Sequence, residues 1–432
     1  MTATFTDQAA RDRVTDDLHA TLFVEAGAGT GKTTALVTRV VRLVGSGAAR
    51  LRELAAITFT EAAAAELRER IGAALEQGAA DPCLAPEVRA RLAVALDEVD
   101  QTTISTLHGF AQRILSAHAV EAGLPPRLRI HDETASAVAF EERWQRFLDE
   151  LLDTPEREAI IVQARLCGIG LDALHELARS FDTNWDLVVD HVPPRPRPLG
   201  PIRGAALRDL LLDARAAEAR CTHEVDALLR HLQGLHPFID ELTSTPDGLP
   251  LLSLLRDAPK LATPRGNKGH WAGGCDDIRD LLRAAQDERR RLTLAAGREA
   301  LAHLVVELRD LTLEAASARR ASGALDFHDL LVLARNLLRS HPVVVAELRR
   351  RWSHLLIDEF QDTDPIQAEL AMRIAGIAPD HDTVPDPPGR ATPDWTRLVV
   401  DPGRLFFVGD PKQAIYRFRR ADIELFLQMR GL

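Results

Sequence analysis

The sequence predicts an α/β fold: a parallel sheet that carries a phosphate-binding loop and is interrupted by a mainly helical inserted domain. Three observations predict it. A short apolar run, Leu22-Phe23-Val24, leads into the glycine-rich turn Gly27-Ala28-Gly29-Thr30-Gly31, then into Lys32-Thr33-Thr34 and a segment of helical character. Near both ends of the 432 residues, short apolar runs alternate with helical patterns, the order that yields parallel strands joined by helices. From about Ser116 to about Arg320 the strand-like runs give way to Leu, Ala, Arg and Glu at helical spacing.

Strand, turn and helix in that order are the context a P-loop requires. Glycines let successive backbone N–H groups turn inward as an anion-binding nest, and the following helix adds the positive end of its dipole. In such a loop Lys32 reaches the β- and γ-phosphates of a nucleotide and the Thr33 hydroxyl ligates Mg²⁺. Ala26, Gly27, Ala28, Gly29, Thr30, Gly31 and Thr34 complete the cradle. The strict pattern asks for Gly at position 26, where this chain has Ala. Ala accepts most negative-φ conformations, so the loop is not excluded. A glycine-rich turn ahead of an ordinary helix is the plainer alternative. Against it, the chain holds only four lysines, at 32, 260, 268 and 412, and one of them stands here.

Composition bounds the rest. The length suits two or three domains, and 46% apolar residues suit a globular chain. No stretch of about 18 uncharged apolar residues predicts a membrane-spanning helix. The polar, charged N-terminus lacks the apolar core of a signal peptide, which leaves the cytoplasm as the expected location. Cys83, Cys167, Cys221 and Cys275 are far apart in sequence and are expected to be buried thiols, neither metal ligands nor disulfides. A net charge of −11 argues against a protein coated in basic surface, although a basic groove can lie on an acidic body.

In chain order, Gln8 precedes the P-loop. Its amide can donate to and accept from an adenine edge, and a lone Gln is as readily a solvated surface residue. Leu54–Thr60 predicts a buried strand ending in hydroxyls, and Glu61–Ile71 a helix with Glu66 and Arg70 four apart in the favourable order. Thr102–Thr106 predicts a third strand, followed by Leu107-His108-Gly109-Phe110 and another helix. Helical spacing marks 137–152, 207–232 and 276–315 inside the insertion, with breaks at the proline-rich 193–198 and the Gly/Pro-rich 263–274. His354–Glu359, an apolar run ending in two acids, and Arg404–Asp410 restore the strand pattern. The Pro/Asp-rich stretch 378–394 between them predicts a mobile surface loop.

Acids and amides stand where these strands end. Asp358 suits the Mg²⁺ shell and Glu359 the orientation and deprotonation of an attacking water, because metal and base divide the work of hydrolysis. An Asp-Glu pair also ends many ordinary strands. Gln413, after Gly409-Asp410-Pro411-Lys412, is placed to sense a γ-phosphate. Tyr416 and Phe418, interleaved with Arg417, Arg419 and Arg420, suit a track on which bases stack. A core aromatic pair on a helix with a solvated Arg face fits the same letters.

Together these segments resemble the UvrD/Rep family of superfamily 1 DNA helicases, and more closely its RecB/AddA-like branch. Residues 26–33 resemble motif I, where Ala at the first position is normal for the family. Gln8 falls at the adenine-reading Q motif. Thr58-Phe59-Thr60-Glu61-Ala62-Ala63 through Ile71 resembles motif Ia, and Ser105-Thr106-Leu107-His108-Gly109-Phe110 the next DNA-contacting motif. Leu325-Asp326-Phe327-His328-Asp329-Leu330-Leu331 is similar to the family's D-F-x-D-L-L stretch. Ile357-Asp358-Glu359-Phe360-Gln361-Asp362-Thr363 resembles motif II, and Val408 through Arg419 motif III, with Arg420 in place of the usual Gly.

The resemblance implies a RecA-like ATPase core over residues 1–115 and 321–432, with a helical insertion over 116–320. It implies ATP and Mg²⁺ as cofactors. Lys32, Asp358, Glu359 and Gln413 become catalytic, with Thr33 and Asp358 on the metal. Thr58, Phe59, Thr60, His108, Tyr416, Phe418 and Arg419 become DNA contacts. The implied activity is 3′-to-5′ translocation on single-stranded DNA, including duplex junctions, in repair or recombination, with room for a partner in a helicase–nuclease complex and no membrane. Motifs IV to VI, with their γ-phosphate arginines, do not occur within the 432 residues. The chain alone is therefore expected to bind Mg-ATP and to turn it over poorly. Two other readings stay open: a degenerate or truncated nucleotide- and DNA-binding module, and a P-loop ATPase indifferent to DNA.

Overall fold

The computed structural model describes residues 7–27, 29–195, 198–362, 364–377 and 394–410. The chain divides into two compact units, residues 1–132 with 319–432, and residues 133–318.

The first unit is built on five strands: β1 (Leu22–Glu25), β2 (Leu54–Thr58), β3 (Thr103–Thr106), β4 (His354–Ile357) and β5 (Leu405–Gly409). They pair in the order β1-β5-β4-β2-β3, every pair parallel. The α/β reading holds. Parallel strands need crossover helices and are covered on both faces, which is why β2 and β5 are buried along their whole length. Because the strands are parallel, all five C-terminal ends emerge at one edge, where ligands of open α/β sheets bind.

Side chains alternate between the faces with period two, so registered residues share a face. Leu22, Phe406, Leu356, Ala56 and Ile104 form one transverse row. All five belong to the core made with helices α2 (Lys32–Ser46), α3 (Glu61–Ala80) and α4 (Pro86–Asp97). Two residues further on, towards the C-terminal edge, the same face carries Val24 and Val408, then Asp358, then Thr58 and Thr106. The apolar row has become polar at the place where the strands end.

Helix α3 runs to Ala80, nine residues past the expected end at Ile71. Gly78 is there for close approach: a Cβ on it would stand 2.6 Å from Leu92 Cδ1 of α4. Ahead of β1, helix α1 (Gln8–Asp16) is tied down by Arg39, which is buried and donates to the carbonyls of Val14, Asp17 and Ala20 at 3.0, 2.6 and 3.1 Å. On the other side of the insertion, helix α5 (Phe327–Ser340) begins with a capping box between Asp326 and Asp329. Asp329 also holds the buried Arg319 guanidinium through two hydrogen bonds of 2.7 and 3.1 Å. The D-F-x-D letters thus encode a helix start and a buried charge pair at once.

The second unit is helical, with two apolar cores. One joins Phe140, Trp144, Phe147 and Leu151 to Ala300, Leu304 and Leu308; the other joins Leu207, Leu211, Leu228, Leu232 and Leu235 to Ile278, Leu282 and Leu292. The helix Asp276–Ser322 supplies residues to both. The pattern over 207–232 is not one helix. It ends at Ala216, turns through Ala217–Arg220, and restarts at Ala227 where the Asp226 carboxylate accepts from Leu228 and Leu229. The thiol expectation also needs correction, since only Cys275 is buried, while Cys83 lies exposed in the turn between α3 and α4. All four cysteines are free, and among the described residues no cluster of three or more His, Cys, Asp or Glu side chains could hold a metal ion. No helix among the described residues is long and apolar enough to cross a membrane. The expected surface loop, apart from Asp394, lies outside the described residues.

Candidate functional site

The loop after β1 uses glycine at the two positions that demand it. Gly29 and Gly31 have φ of 73° and 99°, the left-handed region that a Cβ disfavours. Ala26 is not among the positive-φ residues, so Ala is tolerated there without strain. The turn is braced from within, the Thr30 hydroxyl donating to the Gly27 carbonyl at 2.7 Å. Gly31 is the N-cap of α2 and offers no side-chain acceptor, which leaves the first N–H groups of the helix facing outward as an anion site. Lys32, Thr33 and Thr34 form its first turn. Ala28 lies outside the described residues.

Lys32 Nζ is 2.7 Å from Glu359 Oε2, bringing together residues 327 apart in the chain. Strand β4 delivers Asp358 and Glu359 to the sheet edge, and Glu359 then adopts φ 54°, the only positive φ of a non-glycine residue among those described. Such a conformation costs about 1–3 kcal/mol and persists only where the surroundings over-determine it. Three contacts do so here. Lys32 holds the carboxylate, Gln361 Nε2 donates to the same oxygen at 2.6 Å, and the Glu359 N–H donates to Asp358 Oδ1 at 2.9 Å.

Gln361 falls within the motif II letters, but the sequence assigns it no role. It is 4% exposed, and its Oε1 accepts the backbone N–H of Asp410 at 2.8 Å. One side chain thus ties the end of β4 to the end of β5. Asp410, beside the P-loop, has Oδ2 3.9 Å from where a Cβ on Gly27 would lie.

Burial, and then the charge of Glu359, push the Asp358 carboxyl up to about 6. A folded-state value above the unfolded one means that this group favours folding when protonated, below about pH 4, and loses that contribution as pH rises through 6. Asp358→Asn is therefore expected to raise ligand-free stability at pH 7.5 by about 2–3 kcal/mol, a gain that vanishes towards pH 4. Urea unfolding at the two pH values checks this, and an Asn variant no more stable than wild type at pH 7.5 would contradict it. A carboxylate held ionised against its surroundings is a site that a cation relieves. With the glycine nest, the free end of α2 and Lys32, the residues present fit a magnesium-bound nucleoside triphosphate.

The other expected residues are distributed as follows. Gln8 starts α1, its amide donating to Asp12 at 2.8 Å. Thr60 is exposed and caps α3 by accepting from Ala63 N–H, Phe59 is half-buried beside it, and His108 meets Phe327 edge-on at 5.5 Å. Thr58, in contrast, is 4% exposed and on the face of α2, so its side chain is inside the unit. Gln413, Tyr416, Phe418 and Arg419 lie outside the described residues.

In the second unit, two hollows of about 420 and 380 Å³ flank the segment 255–261. Arg165, Arg256, Arg289 and Arg290 line the first, and Arg230, His231, Lys260 and Arg265 the second, with no acidic residue in either lining. Basic concavities do exist on this acidic chain.

Residues 5–431 match the family described as UvrD/REP helicase N-terminal domain. Curated relatives include an ATP-dependent helicase/nuclease subunit of Limosilactobacillus fermentum, 26% identical over 98% of this chain and 34% of the relative. The proteins of the same name from Desulforudis audaxviator and Syntrophomonas wolfei are 28% and 26% identical, over 94% of this chain and 35% and 34% of theirs. The chain spans about a third of the length of these relatives.

Proposed function

The chain belongs to the UvrD/REP helicase N-terminal domain family, and from that premise we propose that it is the ATP-binding part of a 3′-to-5′ DNA translocase acting in repair or recombination. The observation that carries this reading is the meeting of Lys32, Glu359 and Gln361 at the sheet edge, next to a half-buried Asp358. Lys32, Thr33 and the loop 26–31 would hold the phosphates, with Thr33 and Asp358 on Mg²⁺, whose chemistry is to neutralise phosphate charge.

The chain's own residues divide the remaining work. Lys32 exchanges its Glu359 partner for phosphate oxygens. Glu359, released from that ion pair but still held by Gln361, becomes the base that orients a water and takes its proton. Phe59, Thr60 and His108 would contact single-stranded DNA beside the ends of β2 and β3. Tyr416, Phe418 and Arg419 would continue the track, and Gln413 would report on the γ-phosphate. The relatives are named as subunits of an ATP-dependent helicase/nuclease, which supports a role in a helicase–nuclease complex. The basic hollows of the second unit suit a polyanion such as the DNA backbone.

The test uses the translation product of the complete reading frame. ATP hydrolysis should rise on adding a single-stranded oligonucleotide, and strand displacement should require a 3′ tail. Hydrolysis indifferent to DNA would favour the plain P-loop ATPase instead.

A further inference from the structure

The Thr58 hydroxyl is buried and makes no hydrogen bond among the described residues. A buried hydroxyl without a partner is costly and uncommon, and its neighbours suggest its purpose. Ile57 registers with Ile357, and the Asp358 N–H donates to the Ile57 carbonyl at 2.8 Å, so Thr58 and Asp358 are side by side on adjacent strands and on one face. Adjacent strands lie about 4.8 Å apart, within reach of a side-chain hydrogen bond. On the other flank Thr58 registers with Thr106. Thr106 has already committed its proton to Glu61 Oε1 at 2.7 Å and accepts from the Gly109 N–H at 3.1 Å. Across the row Val24–Val408–Asp358–Thr58–Thr106, the only carboxylate is that of Asp358. One of its oxygens takes the Glu359 N–H at 2.9 Å, which leaves acceptor capacity on the group for a second donor.

We propose that Thr58 is a positioning residue for the metal site: its hydroxyl, unpaired in the ligand-free chain, donates to the Asp358 carboxylate once that group holds Mg²⁺, and so fixes its orientation. The inference rests on the assignment of Asp358 to the metal in the proposed function. It gives Thr58 a different role from the DNA contact expected from sequence, one that suits an interior side chain. Partners of this kind, which orient a metal-holding group without touching the metal, typically change metal affinity 10- to 100-fold when removed. Thr58 also directly precedes Phe59 and Thr60, so the strand that orients the metal-holding acid continues into the segment proposed to meet DNA.

The test is Mg²⁺ titration of the binding of a fluorescent, non-hydrolysed ATP analogue to the full 432-residue chain, comparing wild type, Thr58→Val, Thr58→Ser and Lys32→Ala. Thr58→Val keeps the shape and removes the hydroxyl. Its Mg²⁺ midpoint should rise about 10-fold, analogue binding in EDTA should stay unchanged, and Tm without ligand should be equal or higher, since an unpartnered polar group is gone. Thr58→Ser should restore the midpoint. A Thr58→Val midpoint within twofold of wild type overturns the inference, as does a shift accompanied by a lowered Tm and shared by Thr58→Ser, which would mark a packing role. The underlying reading fails separately, if wild type binds without regard to Mg²⁺ or if Lys32→Ala binds as wild type does.

Discussion

Glu359→Gln is expected to lower ATP hydrolysis about 10²- to 10⁴-fold, the usual contribution of a positioned general base. Nucleotide binding should survive and can tighten. The substitution removes the negative charge 2.7 Å from Lys32, and with it one competitor with phosphate for the ammonium. Gln at 359 keeps the volume and an oxygen able to accept from Gln361, so the local structure need not move. Single-turnover hydrolysis of labelled ATP, set beside equilibrium binding of the same nucleotide, separates the two effects. A variant that hydrolyses at the wild-type rate would remove Glu359 from the mechanism.

Lys32→Ala should act on the other side of that balance. Each hydrogen bond to a charged group is worth about 1.5–3 kcal/mol, so loss of the ammonium is expected to weaken Mg-ATP binding about 10- to 100-fold and to abolish productive turnover. The variant also leaves Glu359 in its left-handed conformation with only Gln361 and its own N–H bond to hold it. Titration calorimetry on the chain itself measures the affinity, and wild-type affinity would place the phosphates somewhere other than the 26–33 loop. The two variants are expected to differ in kind, one binding without hydrolysing and the other failing to bind.

Much of this site could be seen in the sequence, because its chemistry uses residue types at fixed spacing. Left-handed φ at Gly29 and Gly31 is what the P-loop letters anticipate, and Ala26 departs from the strict pattern at a position with no such demand. The strands ended within two residues of expectation, as apolar runs bounded by polar residues usually do. What escaped depends on contacts between distant segments. Nothing in the letters around Gln361 shows that its carbonyl meets the Asp410 backbone 49 residues on. The burial of Thr58 follows from its strand having neighbours on both sides, an order that only the assembled topology reveals. The false continuity over 207–232 has a local cause. Residues 217–225 contain neither Gly nor Pro, so the break is made by the Asp226 cap and not by a residue that forbids helix.

The Gln361 clamp has a mechanical consequence. Its amide nitrogen holds the Glu359 carboxylate and its amide oxygen holds the Asp410 peptide, so the two bonds share one rigid, planar group. If Glu359 turns when Lys32 leaves it, the amide must tilt with it or give up one of its bonds, and the tilt is delivered to the backbone at Asp410. That peptide leads directly into Pro411-Lys412-Gln413 and the aromatic–arginine segment. The pairing of one carboxylate would therefore act on a lever with a two-bond arm, whose far end is the backbone at Asp410.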